Sequence, residues 1–184
     1  MNARVPFPAV PASLGERWRR ASLRPFGGEP GDLEVDFGAP RQAVVSALLA
    51  CCAEAADGSP FAAAALDRLR LGARIEGLLR LVLLGGAEVI PQLLRCDACG
   101  AKVELDLPLA TLADLQREVG ELDVVAVGDD DGGLRVRLPT AEDLAAWAAE
   151  PGIDVDESAM LRRLVVGEAP GRAEVAAIEA ALAA

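Results

Sequence analysis

The sequence predicts an α+β fold in which small β-hairpins, one of them bearing a Cys-x-x-Cys knuckle, pack with several helices. Three observations carry that expectation. The stretch 91–108, PQLLRCDACGAKVELDLP, alternates after its cysteines: Val103, Leu105 and Leu107 fall on one side, Lys102, Glu104 and Asp106 on the other. Period two is the mark of a half-buried strand. A second alternating pair, 124–127 and 134–138, flanks the loop GDDDGG. Elsewhere apolar residues recur at helical spacing, as in Val44, Val45, Leu48, Leu49 and Cys52.

The chain begins with a region of its own character. Residues 1–38 hold five of the twelve prolines and four of the six aromatic side chains: Phe7, Trp18, Phe26 and Phe37. Prolines at this density oppose an independent core. The expectation is an N-terminal docking arm, partly ordered alone, whose four aromatics bind a partner. Trp18, flanked by Arg17 and Arg19, is the expected chief anchor, because Trp and Arg are enriched at binding hot spots. Within this region 13–21 predicts a short helix and 32–37 a strand. Residues 39–184 are then a single α+β domain.

That domain opens with Pro40, suited to a helix start, and a helix to about residue 56. Ser59-Pro60 reads as an N-cap with proline at the first helical position. The helical pattern that follows runs through Ile75, Leu78, Leu79, Val82 and Leu83, with a break near Gly72, until Gly85-Gly86 stops it. The knuckle hairpin comes next, then a helix over 109–122, and then the second hairpin, 123–138. Thr140 and Asp143 predict a variant capping box for another helix, which Pro151-Gly152 ends. Residues 157–166 and 172–183 predict two last helices. The three aspartates of the GDDDGG loop lack the alternate ligands and distal Glu of a calcium loop, so a solvated turn is expected.

Composition excludes several functions. Histidine is absent, so no Ser–His or Cys–His nucleophile system exists within the chain. The net charge is −11, and residues 101–184 carry seven positive against eighteen negative side chains, which accounts for all of it. An acidic half with few aromatic platforms argues against nucleic acid and permits a basic protein partner. No basic start leads into an apolar run with a small-residue cleavage site, and no apolar stretch approaches a membrane span. A cytoplasmic protein without a membrane anchor is the expectation, and its four cysteines are then thiols or metal ligands rather than disulfides.

Cys96 and Cys99, with Gly100 after them, have the spacing of a zinc knuckle, and zinc at this pair is the one cofactor the sequence suggests. A structural zinc takes four ligands, and no second clean pair is present. A metal shared with a neighbouring subunit and a vestigial knuckle both remain open. Cys51 and Cys52 diverge by about 100° on a helix and fit core packing better than chelation. A redox motif should precede a helix, whereas this one lies between strands. No phosphate loop or nucleophile elbow occurs, so no enzyme is expected.

Three segments, ASLRPFGGEP, LLRCDACGAKVELDLPLATL and RVRLPTAEDLAAWA, give the chain a resemblance to a known family. With the knuckle Cys96-Asp97-Ala98-Cys99-Gly100 and the run Arg137-Leu138-Pro139-Thr140-Ala141-Glu142-Asp143-Leu144, it resembles the T-even-type phage baseplate hub subunit and hub assembly chaperone family of contractile tails and contractile injection systems. The resemblance spans most of residues 21–150; it departs at Asp97, where family members more often have proline. It implies a non-enzymatic baseplate component or assembly chaperone, with other baseplate, spike or tube proteins as partners and the assembled particle or virion baseplate as its location. The competing expectation is a small zinc-ribbon-like adaptor in transcription or translation, which a basic stripe or a second Cys-x-x-Cys would favour.

Overall fold

Three aromatic rings from distant parts of the chain start the core. In the computed structural model, which describes residues 4–10, 15–120, 122, 124–127, 134–149 and 157–167, Trp18 lies 4.1 Å from Phe61 and 5.3 Å from Phe7 between ring centroids. Arg17 covers the outer face of Phe61 at 4.6 Å, a cation–π contact. Leu23, Leu49, Cys52, Leu66, Leu69 and Leu81 close the cluster.

A three-stranded antiparallel sheet holds the rings. Strand β1 (Val5–Pro6) pairs with β2 (Ser22–Leu23), after the short helix α1 (Glu16–Arg19), and β2 pairs with β3 (Ala53–Glu54). Helix α2 (Arg41–Cys52) therefore stops at Cys52, earlier than its sequence pattern suggests, because Ala53 is needed opposite Leu23.

The expected arm of residues 1–38 is corrected by this arrangement. Phe7, Trp18 and Leu23 are buried in the chain's own core, so the first two are not free anchors for a partner. The Ala9 amide donates to Glu76 Oε2 at 3.0 Å, and Arg117 bridges Glu76 Oε1, at 2.8 Å, and the Phe7 carbonyl, at 3.3 Å. The prolines oppose a separate core, but they do not prevent this segment from completing a core that later helices supply.

Asp32 overturns the strand expected over 32–37. Its carboxylate accepts both guanidinium nitrogens of Arg24, at 2.7 and 2.8 Å, and the amides of Gly27 and Glu29. Pulled inward, it shapes a 3-10 turn at Pro30–Glu34, and Leu33 and Phe37 are left exposed. The hydrogen bond from Arg24 is the main cause that holds the carboxyl down to about 2, against an opposing push from burial. Arg24 also donates to the Cys51 carbonyl at 2.7 Å, which ties the turn to α2.

The helix expected from Ser59-Pro60 starts later. Phe61 turns into the core, and only Ala63–Leu66, α3, winds before the chain breaks and resumes as α4 (Leu71–Leu84). Buried Arg74 spans the break, donating to Ser46 Oγ at 2.7 Å, the Gln42 carbonyl at 2.7 Å and the Leu66 carbonyl at 2.9 Å. Gly77 explains how α4 lies so close to α2: a Cβ there would sit 2.7 Å from Leu49 Cδ2.

From α4 the chain enters β4 (Val89–Arg95) and β5 (Lys102–Pro108), then α5 (Leu109–Gly120), which packs along α4. Strands β6 (Val124–Val127) and β7 (Leu134–Arg137) pair as a second hairpin. Helices α6 (Ala141–Ala149) and α7 (Glu157–Leu164) follow. The capping box forms as its sequence suggests: the Thr140 amide donates to Asp143 Oδ2 at 2.9 Å, and the Asp143 amide to Thr140 Oγ1 at 3.4 Å. Asp143 also receives Arg137 at 2.6 Å and Arg163 at 2.8 Å, binding β7, α6 and α7 together. Burial works to raise this carboxyl, but its hydrogen bonds from Arg137, Thr140 and Arg163 outweigh burial and keep it well below the usual carboxylate range. The expected helix over 172–183, the GDDDGG loop and the Pro151-Gly152 stop lie outside the described residues.

Candidate functional site

The hairpin β4–β5 stands out from the packed part of the molecule as a finger. Its base is closed by Gly86 at φ +93°, which ends α4, and by the Leu109 amide donating to the Glu88 carbonyl at 2.9 Å. No loop separates β5 from α5, since Pro108 ends one and Leu109 begins the other. The finger is thus carried on two helices that pack against each other.

Its register sorts the side chains. Residues directly opposite in an antiparallel pair share a face. Ile90 faces Leu107, Gln92 faces Leu105 and Leu94 faces Val103, so five of these six are apolar. Pro91 faces Asp106, Leu93 faces Glu104 and Arg95 faces Lys102 on the other side. The sequence pattern places Val103, Leu105 and Leu107 on one face correctly, although Val89 and Leu93 lie exposed on the other, and the expectation that the first face is buried is corrected. Leu94 is 52% exposed, Val103 54% and Leu105 43%.

A two-stranded sheet with an uncovered apolar face is marginal in water. The exposure continues onto the supporting helices, at Ile75 and Val82 on α4 and Leu115 and Val119 on α5. Ten of the fourteen large apolar side chains exposed among the described residues lie within 75–122, so exposed apolar surface concentrates in this unit rather than in the N-terminal region.

The tip of the finger carries the knuckle. The Cys96 amide donates to the Ala101 carbonyl and the Gly100 amide to the Cys96 carbonyl, both at 2.8 Å. Gly100 takes φ +70°, the left-handed conformation that glycine adopts without strain. In the closed turn the Cys99 and Ala98 amides, in that order of effect, and then the Cys99 thiol hydrogen-bond to the Cys96 sulfur and lower its pKa. Both thiols are exposed. Amides aimed at sulfur favour the thiolate, the form that binds metal. No group of three or more cysteine or acidic side chains able to hold a metal occurs among the described residues.

The other cysteines stay apart from the tip. Cys52 is buried in the core, where desolvation pushes its thiol up to about 12. Cys51 lies beside it on α2 with its sulfur against the Gly31 carbonyl. The four aromatics expected to act together are divided. Phe7 and Trp18 are core, whereas Phe26 and Phe37 meet edge to face at 6.4 Å and are exposed. A separate shallow groove of about 480 Å³ lies between the 3-10 turn and α2, and half of its lining residues are alanines.

No helix among the described residues is long and apolar enough to cross a membrane. Comparison of the chain with protein-family models, with curated proteins and with solved structures finds no match.

Proposed function

We propose that the protein is a non-enzymatic component or assembly chaperone of the baseplate hub in a contractile phage tail-like injection system, and that it acts by protein–protein contacts made through the finger. The observation that carries this reading is the uncovered apolar face of β4–β5, Leu94, Val103 and Leu105, set on two helices that expose further apolar side chains. A face of this kind gains free energy only when something covers it. The resemblance of the knuckle hairpin and of the 137–144 run to the hub family supplies the identity of the cover: another baseplate, spike or tube protein. The acidic second half of the chain supplies its character, a partner with a basic face whose association slows as salt rises. The site of action is the cytoplasm, where such particles assemble.

The test is coexpression with the hub, spike and tube proteins of a contractile particle from the same genome. The wild-type chain is expected to copurify with one of them, and a variant carrying Leu94→Thr, Val103→Thr and Leu105→Thr, which keeps strand propensity but removes the apolar face, is expected to lose that partner. Capture that is equal for both chains contradicts the reading. The knuckle favours one other reading, a zinc-ribbon-like adaptor in transcription or translation; copurification with RNA polymerase or ribosomes in place of tail proteins identifies it.

A further inference from the structure

We propose that the finger tip is half of a zinc site, and that Cys96 and Cys99 of two copies of this chain together hold one ion. The turn is already shaped for metal: its backbone hydrogen bonds close at 2.8 Å, Gly100 has the required positive φ, and both thiols face solvent. Each thiol gives up its proton on binding.

A structural zinc takes four ligands in a tetrahedron, and the tip supplies two. Nothing among the described residues completes the set from within the chain. Cys51 and Cys52 sit on α2 in the packed part of the molecule, and Cys52 is wholly buried. The simplest completion is an identical pair, because a two-fold axis through the metal gives a closed set of four thiolates.

Charge at the tip agrees with this occupant. Zinc with four thiolates carries a net charge of −2, on a pair of chains each already at −11. The cations that flank the cysteines are Arg95 and Lys102, which face each other across the last rung of the hairpin. The Arg95 guanidinium lies against Gly100, with its nitrogens 3.5 and 3.8 Å from where a Cβ would be. Lys102 is the single lysine of the chain. Two copies bring four such cations to the metal against two Asp97 carboxylates, so the surplus matches the charge of the metal group. Joining at the tips leaves the apolar face further down each finger open, so the metal site stands or falls independently of the docking partner.

The experiment uses the reduced full-length chain, freed of metal by a chelator and titrated with zinc alone in competition with a chromophoric indicator. Sedimentation follows the mass. The expected result is half an equivalent of zinc per chain and a twofold rise in mass, both lost in the Cys96→Ser, Cys99→Ser variant and both retained in Cys51→Ala. Cobalt in place of zinc is expected to show the intense bands of a tetrahedral thiolate site. Because the tip is exposed, the serine variant keeps the far-ultraviolet circular dichroism of the wild type, which separates loss of metal from loss of fold. A full equivalent bound without a change of mass overturns the proposal, as does failure to bind, or dimerisation that persists without zinc or without the two cysteines.

Discussion

The N-terminal region and the finger use similar raw material to opposite ends. Each presents large apolar side chains on short extended segments, Phe7 and Leu23 in one, Leu94 and Leu105 in the other. In the first, β1–β2–β3 lies against α2 and α4, and Phe7, Trp18 and Leu23 lose nearly all contact with water. In the second, no layer among the described residues covers the sheet, and Leu94, Val103 and Leu105 meet solvent. The difference lies in what stands opposite. Leu49, Phe61 and Leu66 wait beside the first sheet, while the turn at Gly86 carries the second away from the helices that bear it. One region stabilises the fold; the other leaves its apolar side chains in contact with water.

That contrast breaks most visibly at the N-terminus. Removing residues 1–24 deletes Phe7, Trp18, Ala21 and Leu23 from the core at once. Each large core truncation costs roughly 3–5 kcal/mol, so the sum consumes the 5–15 kcal/mol of a typical domain, and the shortened chain is expected to be unfolded by circular dichroism. Trp18→Ala alone is expected to cost about 3–5 kcal/mol in urea denaturation. A truncated chain that melts like the full one restores the idea of a separate arm.

A smaller effect tests how the 3-10 turn is locked to α2. Asp32 titrates at about 2 in the folded chain, below the ordinary 3.8. A depressed carboxyl contributes stability that is complete above pH about 4 and disappears as pH falls through about 2. The shift corresponds to about 2 kcal/mol. Asp32→Asn is expected to be less stable than the wild type by about that amount at pH 7 and to lose most of its disadvantage near pH 2. Asp143, also depressed, leaves some acid sensitivity in both proteins. Parallel stability curves between pH 7 and pH 2 count against the Arg24–Asp32 lock.

The finger is expected to respond least. Leu94→Thr, Val103→Thr and Leu105→Thr together are expected to change stability by no more than about 1 kcal/mol, because exposed positions contribute little to the folded state. A loss comparable to that of Trp18→Ala shows instead that the face is covered within the chain.

The two regions also show what a sequence makes legible. Periodicity reveals which side of a segment is apolar, and here it places β4, β5, β6, β7, α5 and α6 and the capping box at Thr140. It says nothing about what lies opposite. The prolines around Phe7 and Trp18 suggest a docking arm only partly ordered alone, because the sequence does not display the sheet that Ala53 and Glu54 complete from about thirty residues away. The alternation of Val103, Leu105 and Leu107 suggests burial, because an apolar face left in solvent has the same pattern as a covered one. Asp32 is a third case. Read locally, Leu33, Val35 and Phe37 make a strand, but a bidentate ion pair with Arg24 overrides that alternation. The knuckle was readable because its spacing and its glycine are local; its missing ligands are not a local property.

Amide hydrogen exchange on the free full-length chain tests the contrast most directly, since it reads the opening free energy of each region without a partner present. The hydrogen-bonded amides of α2 and α4 are expected to exchange only by global unfolding. Those of β4–β5 are expected to open locally, with free energies at least about 3 kcal/mol lower. Protection of the hairpin equal to that of α2 would contradict the account, because it would make the finger part of the cooperative core.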